Sequence, residues 1–310
     1  MGHDETGRRP PVGVVSDGVE LIEDLIYDVG AHKGEDTAFY LAKGYRVVAL
    51  EANRELIRVC EQRFATEIGE GRLTLVEGAV TDSDEPTVRF YRHPLSTWGT
   101  TSDEMVERNS MVAASEAVDV PAVRFAELLR ETGMPSFMKI DIEGSDMLCL
   151  QALLEFDQRP QSVSIESHKT DWQRIEQEFE LLERLGYDRF AVVQQGDIPG
   201  MSLRTRKLDG ASLTFRFEDD SSGPFGSDVG PWLSHAAAIA RYRRVFLAYR
   251  LIGAKSRLRQ TRVGRKLHGW ALRRFKRPLP GWYDTHAARS DDQSAPTFAA
   301  LSSPAADSNR

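Results

Sequence analysis

Between residues 25 and 194, short apolar runs alternate with longer amphipathic segments, and this alternation constrains the fold more than any other feature of the chain. A short apolar run bounded by turn residues is typical of a buried strand, whereas an apolar stripe with a helical repeat is typical of an amphipathic helix. Strands are predicted at 25–29, 45–50, 72–80, 136–141, 162–166 and 189–194, and helices at 35–42, 54–68, 121–131, 146–156 and 171–185. This order requires a mostly parallel sheet with helices on both faces.

A seventh strand is predicted at 211–217. Since no helical segment separates it from the strand at 189–194, we expect it to enter the sheet antiparallel to its neighbours. The predicted fold is therefore α/β, with a doubly wound, seven-stranded, mostly parallel sheet of the Rossmann-like kind. An extra strand is expected at 87–91, outside this rhythm.

Composition suggests how the chain divides into parts. After residue 228 there are 16 Lys and Arg against 4 Asp and Glu, whereas the preceding residues carry an excess of acid. Such an asymmetry indicates two functional parts. We predict a flexible lead-in at 1–23, the main domain at 24–217, a linker at 218–231, a basic helical C-terminal appendage at 232–286 with helices at 232–252 and 261–276, and a disordered tail at 287–310.

The composition also excludes several classes of protein. The two cysteines, Cys60 and Cys149, both lie among apolar residues, which indicates reduced core thiols rather than a disulfide framework. The first residues lack the apolar stretch of a signal peptide, and no apolar run reaches the roughly 18 residues of a membrane span. We expect a cytoplasmic protein.

The turn after the first strand carries the first candidate binding residues. Asp28 ends the strand, and Gly30 and Gly34 allow a tight turn with close approach of a ligand. A carboxylate here would repel a pyrophosphate but attract an ammonium group. S-adenosylmethionine has an α-amino group and no phosphate, so Asp28 fits its methionine end. The alternative is a structural turn with a capping aspartate.

The ends of the next two strands extend this candidate site. Glu51 ends the second strand, where a carboxylate accepts hydrogen bonds from ribose hydroxyls in nucleotide-binding folds; the alternative is a solvated charge at a strand end. After the third strand, Glu77, Gly78 and Ala79 would lie near the adenine, and the small residues would leave room for the ring.

The fourth and fifth strands end in candidate catalytic groups. Charged and apolar residues alternate from Lys139 to Glu143, which is unexpected in a buried strand because burying a charge is costly. Asp141 could position the acceptor, act as a base, or bind a divalent metal together with Glu143 or Glu166. The alternative is a structural Lys–Asp pair. Glu166 and His168 form a plausible acid–base pair for a hydroxyl acceptor, unless His168 is simply a surface residue.

These motifs together resemble the FkbM family of methyltransferases. The resemblance rests on Asp28-Val29-Gly30-Ala31 with Gly34, on Lys139-Ile140-Asp141-Ile142-Glu143-Gly144, and on Ile165-Glu166 with His168. It covers residues 25–217 and implies a class I methyltransferase fold with S-adenosylmethionine as methyl donor. It also implies O-methylation of a hydroxyl on a sugar, polyketide, glycan or similar small molecule.

The resemblance also guides the reading of individual positions. It places Ala31 at the donor, and Glu143, Thr97 and Trp98 near the acceptor, the last two in a Ser/Thr-rich loop. The chain departs from the family pattern at His32, where asparagine is common, and at Ala52, where proline is common. A nicotinamide dehydrogenase is a rival that the missing GxGxxG turn disfavours.

A basic amphipathic region follows the main domain. Residues 241–277 contain 14 Lys and Arg and no acid, with apolar and aromatic residues between them. This pattern could contact an anionic membrane surface peripherally, bind phosphates, or dock on the acidic body of its own or another subunit. We expect no nucleic-acid partner. A non-catalytic protein that keeps the cofactor fold and acts through these basic helices remains the alternative function. His286, farther on, is expected to be hydrated.

Overall fold

The computed structural model describes residues 18–94, 99–102, 106, 114–142, 144–253, 256, 261, 266, 269 and 281–290. Its strands are β1 Leu21–Val29, β2 Arg46–Glu51, β3 Leu73–Glu77, β4 Ala79–Val80, β5 Thr87–Arg92, β6 Glu116–Val123, β7 Met134–Ile140, β8 Ser162–Glu166, β9 Arg189–Gln194, β10 Ser202–Arg206, β11 Ser212–Arg216 and β12 Tyr283–Ala288. Its helices are α1 Glu35–Lys43, α2 Arg54–Arg63, α3 Ala65–Gly69, α4 Phe125–Thr132, α5 Asp146–Ala152, α6 Trp172–Arg184 and α7 His235–Ile252.

Seven strands form one sheet in the order β3-β2-β1-β7-β8-β12-β9. Its neighbours pair in parallel except at β12, which is antiparallel to both β8 and β9. The chain leaves β1 toward β2 and β3 and later returns to place β7 on the other side of β1. This reversal is a switch point, where the carboxyl ends of parallel strands open into a crevice.

Both faces of the sheet are buried, as a parallel sheet requires. Successive residues of β1 point to opposite faces: Ile26 belongs to one apolar cluster with Phe39 of α1, and Tyr27 belongs to another with Phe179 of α6. The second cluster also contains Tyr242 of α7, so this helix packs on the body of the protein. This two-sided burial explains a continuous apolar run such as residues 47–50 of β2.

The predicted identity of the seventh strand is wrong. Residues 211–217 contain β11, which pairs with β10 in a separate two-stranded sheet. The seventh strand of the main sheet is β12, close to the C-terminal end of the described residues. In β11, exposed and half-buried positions alternate, whereas β12 is buried along almost its whole length. The predicted boundary at 286/287 therefore cuts through a core strand, and the boundary at 23/24 cuts through β1.

A second correction concerns residues 116–123. The predicted helix at 121–131 begins only at Phe125, because the preceding residues form β6. β6 lies between β4 and β5 in a three-stranded sheet. Pro121 therefore lies in a strand, where it faces Thr87 of β5. The second predicted basic helix, at 261–276, lies mostly outside the described residues.

Candidate active site

The turn between β1 and α1 comes very close to the end of β7. Gly30 has φ +86°, and a Cβ built there would lie 1.8 Å from the backbone oxygen of Asp141. The backbone N–H groups of Gly30 and Ala31 both donate to the carbonyl of Leu50, at 2.9 and 3.0 Å. Only glycine fits this approach. Gly34 is similarly confined, since a Cβ there would lie 2.3 Å from the ring of Phe64.

Glu51 links this turn to the end of β2. Its Oε2 accepts a hydrogen bond from the backbone N–H of His32 at 2.9 Å, and its Oε1 accepts one from Asn53 at 2.8 Å. The side chain is buried, and burial raises the pKa of Glu51, while these two hydrogen bonds partly oppose the rise. Each oxygen keeps a further lone pair for a hydroxyl donor.

The backbone of His32 explains a departure noted in the sequence. His32 has φ +53°, a left-handed conformation in which asparagine and histidine are enriched. Its Nδ1 lies 3.2 Å from Oε1 of Glu35. The substitution of histidine for asparagine thus keeps the turn and adds a partner for Glu35.

Lys139 lies at the centre of a group of carboxylates. Its Nζ donates to the carbonyl of Gly30 at 2.9 Å and lies 3.4, 3.7 and 3.8 Å from carboxylate oxygens of Asp28, Asp36 and Asp141. Burial disfavours the ammonium ion, but the surrounding carboxylates outweigh it and raise the pKa of Lys139. The buried Lys–Asp pairing that the sequence left as one alternative is therefore present, and Lys139 also lines a cleft; the function of this cleft stays a prediction.

Asp28 does not line the cleft. It is fully buried, and its Oδ2 accepts a hydrogen bond from the hydroxyl of Thr37 at 2.6 Å. The ammonium ion that lies beside it is that of Lys139. Direct contact of Asp28 with a bound donor stays a prediction.

The cleft itself opens at the carboxyl ends of β1, β2 and β7. Ala79, predicted beside the adenine, is one of its lining residues and is buried. The remaining lining residues are Gly30, His32, Leu50, Glu51, Ala52, Gly78, Val80, Phe90, Gly99, Thr101, Lys139, Asp141, Ile142, Ser145 and Asp220. Predicted donor-binding and catalytic residues from four strand ends therefore meet in one crevice.

Three carboxyl groups follow one another along the strand ends. Ile140 of β7 is in register with Ile165 of β8, which brings Asp141 beside Glu166, and Glu166 is in register with Asp284 of β12. Burial raises the pKa of Asp141, and the charge of Glu166 adds to the rise. Burial, with Asp141 and Glu166 nearby, raises the pKa of Asp284 well above its ordinary value. Sequence reasoning missed Asp284.

His168 lies away from the cleft. Its Nδ1 accepts a hydrogen bond from the backbone N–H of Asp171 at 3.1 Å, which places the proton of the neutral ring on Nε2. Glu166 and His168 line a second cavity, between α6 and α7. His286, expected to be hydrated, is instead buried in β12, and burial lowers its pKa to about 4.

Other predicted site residues lie outside the described part of the chain, namely Thr97, Trp98 and Glu143. The proposed metal set of Asp141, Glu143 and Glu166 is therefore not tested. Among the described residues, His32, Glu35 and Asp220 are the group whose potential ligand atoms lie within 4.8 Å of one another.

The sheet order, with its single antiparallel strand, and the cleft at its switch point define a class I methyltransferase. A family model, the methyltransferase FkbM domain, matches residues 28–189, and the chain belongs to this family. The fold implies S-adenosylmethionine as the methyl donor, and the family favours an enzyme over a non-catalytic binding protein.

Individual relatives are more distant. The chain is 34% identical over 67 residues to the "Probable ribosomal RNA small subunit methyltransferase A" of Methanospirillum hungatei; the match spans 22% of this chain and 26%, about a quarter, of that protein. A precorrin-6y C5,15-methyltransferase from Geobacter metallireducens has 14% identity and a TM-score of 0.33, over 64% of this chain and 77% of that one. A precorrin 8W decarboxylase from Methanobacterium thermoautotrophicum has 15% identity and a TM-score of 0.32, over 63% and 77%.

None of the helices in the described part of the chain has the length and hydropathy that a bilayer crossing requires.

Proposed function

We propose that this protein transfers a methyl group from S-adenosylmethionine to a hydroxyl oxygen of a small molecule or glycan, such as a sugar or polyketide. The observation that carries the proposal is the cleft at the switch point of the sheet, where Glu51 and Asp141 lie on opposite sides of the Gly30 turn.

The residues present fit the donor. Glu51 is a buried carboxylate held by two backbone N–H groups at the end of β2, which suits the two hydroxyls of a ribose. Gly78 and Ala79 offer little side-chain bulk for a ring to displace. The positive charge of Lys139 is balanced by the carboxylates of Asp28 and Asp36, so Lys139 gives the cleft no preference for a phosphate.

S-adenosylmethionine, when bound, supplies an electrophilic methyl group on a positively charged sulfur. The protein must then orient the acceptor and exclude water. A hydroxyl nucleophile must also lose its proton. Asp141, with Oδ2 3.8 Å from Lys139 and a pKa raised by burial, is our candidate to accept that proton, since a raised pKa makes a carboxylate a better base.

The first test of this proposal is calorimetric titration with S-adenosylmethionine and with S-adenosylhomocysteine. Wild-type protein should bind both, and Glu51→Ala should weaken binding by about tenfold or more, because a hydrogen bond to a charged group is lost. Glu77→Ala is the matched control: Glu77 ends the adjacent strand β3 but pairs with Arg54 outside the cleft. A folded protein that binds neither compound, or equal affinities for both variants, would contradict the donor assignment.

The second test concerns the oxygen acceptor. With labelled S-adenosylmethionine and a panel of sugar and polyketide alcohols, the label should appear in methyl ethers. Asp141→Asn should lower kcat by about a hundredfold or more, as expected for loss of a general base, and leave the affinity for S-adenosylhomocysteine unchanged. Label appearing only in N-methyl products, or full activity of Asp141→Asn, would contradict this part of the proposal.

We also propose that residues 241–277 contact an anionic membrane surface peripherally. The proposal is supported by the 14 basic residues without an acid and by Leu247 and Leu251, which are 55% and 48% exposed one turn apart on α7. Basic residues beside exposed apolar side chains are typical of interfacial helices.

A further inference from the structure

The second cavity lies directly beside the cleft and is separated from it by one loop. After β7, Asp141 and Ser145 line the cleft, whereas Gly144 of the same loop and Asp146, the first residue of α5, line the second cavity. Ile140 is in register with Ile165, so the residues that follow them, Asp141 and Glu166, are neighbours at the strand ends. Glu166 also lines the second cavity. A molecule in the second cavity could therefore place one of its atoms at the strand ends, next to Asp141.

The floor of the second cavity is polar and includes the carboxyl groups of Asp146, Glu166 and Glu178. Glu178 is 4% exposed and accepts a hydrogen bond from the hydroxyl of Ser167 at 2.7 Å. Burial raises the pKa of Glu178 to about 8, although its hydrogen bonds partly oppose the rise, so this carboxyl group is mostly protonated at neutral pH. The charge of Glu166 is balanced by Lys169, whose Nζ lies 2.6 Å from its Oε1.

The wall formed by α6 and α7 is aromatic and cationic. Trp172 packs edge-on against Phe246 with ring centroids 5.1 Å apart, and Arg243 lies 5.8 Å from the centre of the Trp172 ring. Arg250 follows Arg243 by seven residues, so the two guanidinium groups stand on the same face of the helix. Neither arginine forms an ion pair with a carboxylate in the described part of the chain.

We infer that the second cavity binds the methyl acceptor and that this acceptor carries an acidic group, either a carboxylate or a phosphate. The inference rests on the methyltransferase function proposed above. Arg243 and Arg250 bind the acidic group, because guanidinium ions form strong, often bidentate hydrogen bonds with carboxylate and phosphate oxygens. Trp172 and Phe246 contact an apolar or ring-shaped part of the molecule. The acceptor hydroxyl then points toward the strand ends.

Calorimetry on the full chain saturated with S-adenosylhomocysteine tests this inference. The probes are 4-nitrophenyl glucuronide, the neutral 4-nitrophenyl glucoside, and 4-nitrophenyl phosphate, which separate a carboxylate from a phosphate and both from an uncharged ring. At least one acidic probe should bind about tenfold or more tightly than the glucoside, because the uncharged glucoside cannot form a charge-assisted hydrogen bond with the arginines. The double variant Arg243→Gln/Arg250→Gln should remove this preference.

Arg244→Gln is the matched control, because Arg244 is an exposed arginine on the same helix that does not line the cavity. It should bind the acidic probes as wild type does. If the double variant does not fold, the single variant Arg250→Gln replaces it in this test. It should reduce the preference for the acidic probe.

The outcomes separate this inference from the proposal on which it rests. If wild-type protein binds S-adenosylhomocysteine but binds no acidic probe, or binds acidic and neutral probes equally, the acceptor assignment is wrong and the donor assignment stands. An acidic-probe preference that survives in both Arg243→Gln/Arg250→Gln and Arg250→Gln also overturns it. If S-adenosylhomocysteine itself does not bind, the proposed function fails and the acceptor assignment fails with it.

Discussion

Among the described glycines, Gly30 leaves the least room for a side chain, because a Cβ would lie 1.8 Å from the backbone oxygen of Asp141. We expect Gly30→Ala to separate the β1 turn from the end of β7, to lower the melting temperature and to abolish binding of S-adenosylhomocysteine. Gly210→Ala is the control. Gly210 has a similar φ of +84°, with nothing within 4 Å of the added Cβ, so it should cost only the backbone strain of about 1–2 kcal/mol. Similar losses in the two variants would contradict the role of close approach.

Glu178 makes a pH-dependent contribution to stability. Its pKa is about 8 in the folded protein, against an ordinary value of 4.5, so the folded state holds this proton more tightly than the unfolded chain. The contribution is fully present below the unfolded pKa and is lost as the pH rises through the folded pKa. Glu178→Gln stays uncharged and can still accept the hydrogen bond from Ser167.

Denaturant unfolding of wild type and Glu178→Gln at pH 5 and pH 8 measures this contribution. Relative to wild type, the variant should gain stability between the two pH values, by an amount of the order of a few kcal/mol. Glu180→Gln, at an exposed position of the same helix, should show no such gain. A parallel pH response of wild type and Glu178→Gln would show that Glu178 is ionised in the folded protein.

The individual site residues differ in how far the sequence could reveal them. Glu51 and Asp141 could be predicted because each lies at the end of a strand that the sequence indicates, and the carboxyl ends of parallel strands meet at one edge of a sheet. Asp284 could not, because its place beside Glu166 depends on a strand that pairs across more than a hundred residues of chain. The second cavity depends equally on the packing of α7 against α6.

At the scale of elements, β12 is the strand whose removal should damage the fold most. It pairs with β8 on one side and β9 on the other, and its residues are buried. We expect a chain that ends at residue 280 to lose cooperative thermal unfolding, because two neighbouring strands lose their partner. A chain that ends at residue 290 removes only residues 291–310 and is the control. Equal melting temperatures for the two chains would mean that β12 is dispensable.

The strands themselves divide by the kind of signal they carry. β8 and β9 have the predicted bounds. β9 contains the apolar run 190–193, which is typical of a strand buried on both faces, whereas in β8 serine alternates with Val163 and Ile165. The last three residues of β6 are predicted as the start of a helix, and β12 is not predicted because Asp284, Thr285 and His286 interrupt its apolar pattern. The local pattern of apolar residues indicates which positions are buried and whether the repeat is helical or extended, but it does not indicate which strands pair.

At the scale of the whole molecule, charge is unevenly divided along the chain, with the excess of basic residues after residue 228. On α7, Tyr242 and Val245 pack into the core, so the helix presents Arg244 and Leu251 outward. We expect the protein to sediment with vesicles that contain phosphatidylserine and not with uncharged vesicles. Salt should release it, because the attraction is electrostatic.

Paired variants separate the contribution of α7 from that of overall charge. Arg241→Gln/Arg244→Gln should weaken vesicle binding by roughly thirtyfold, since each basic residue near an anionic surface contributes about 1 kcal/mol. Arg204→Gln/Arg216→Gln removes the same charge from exposed positions of β10 and β11 and should have little effect. If both pairs weaken binding equally, the attraction depends on net charge alone; if neither does and wild type still binds, the contact lies outside α7.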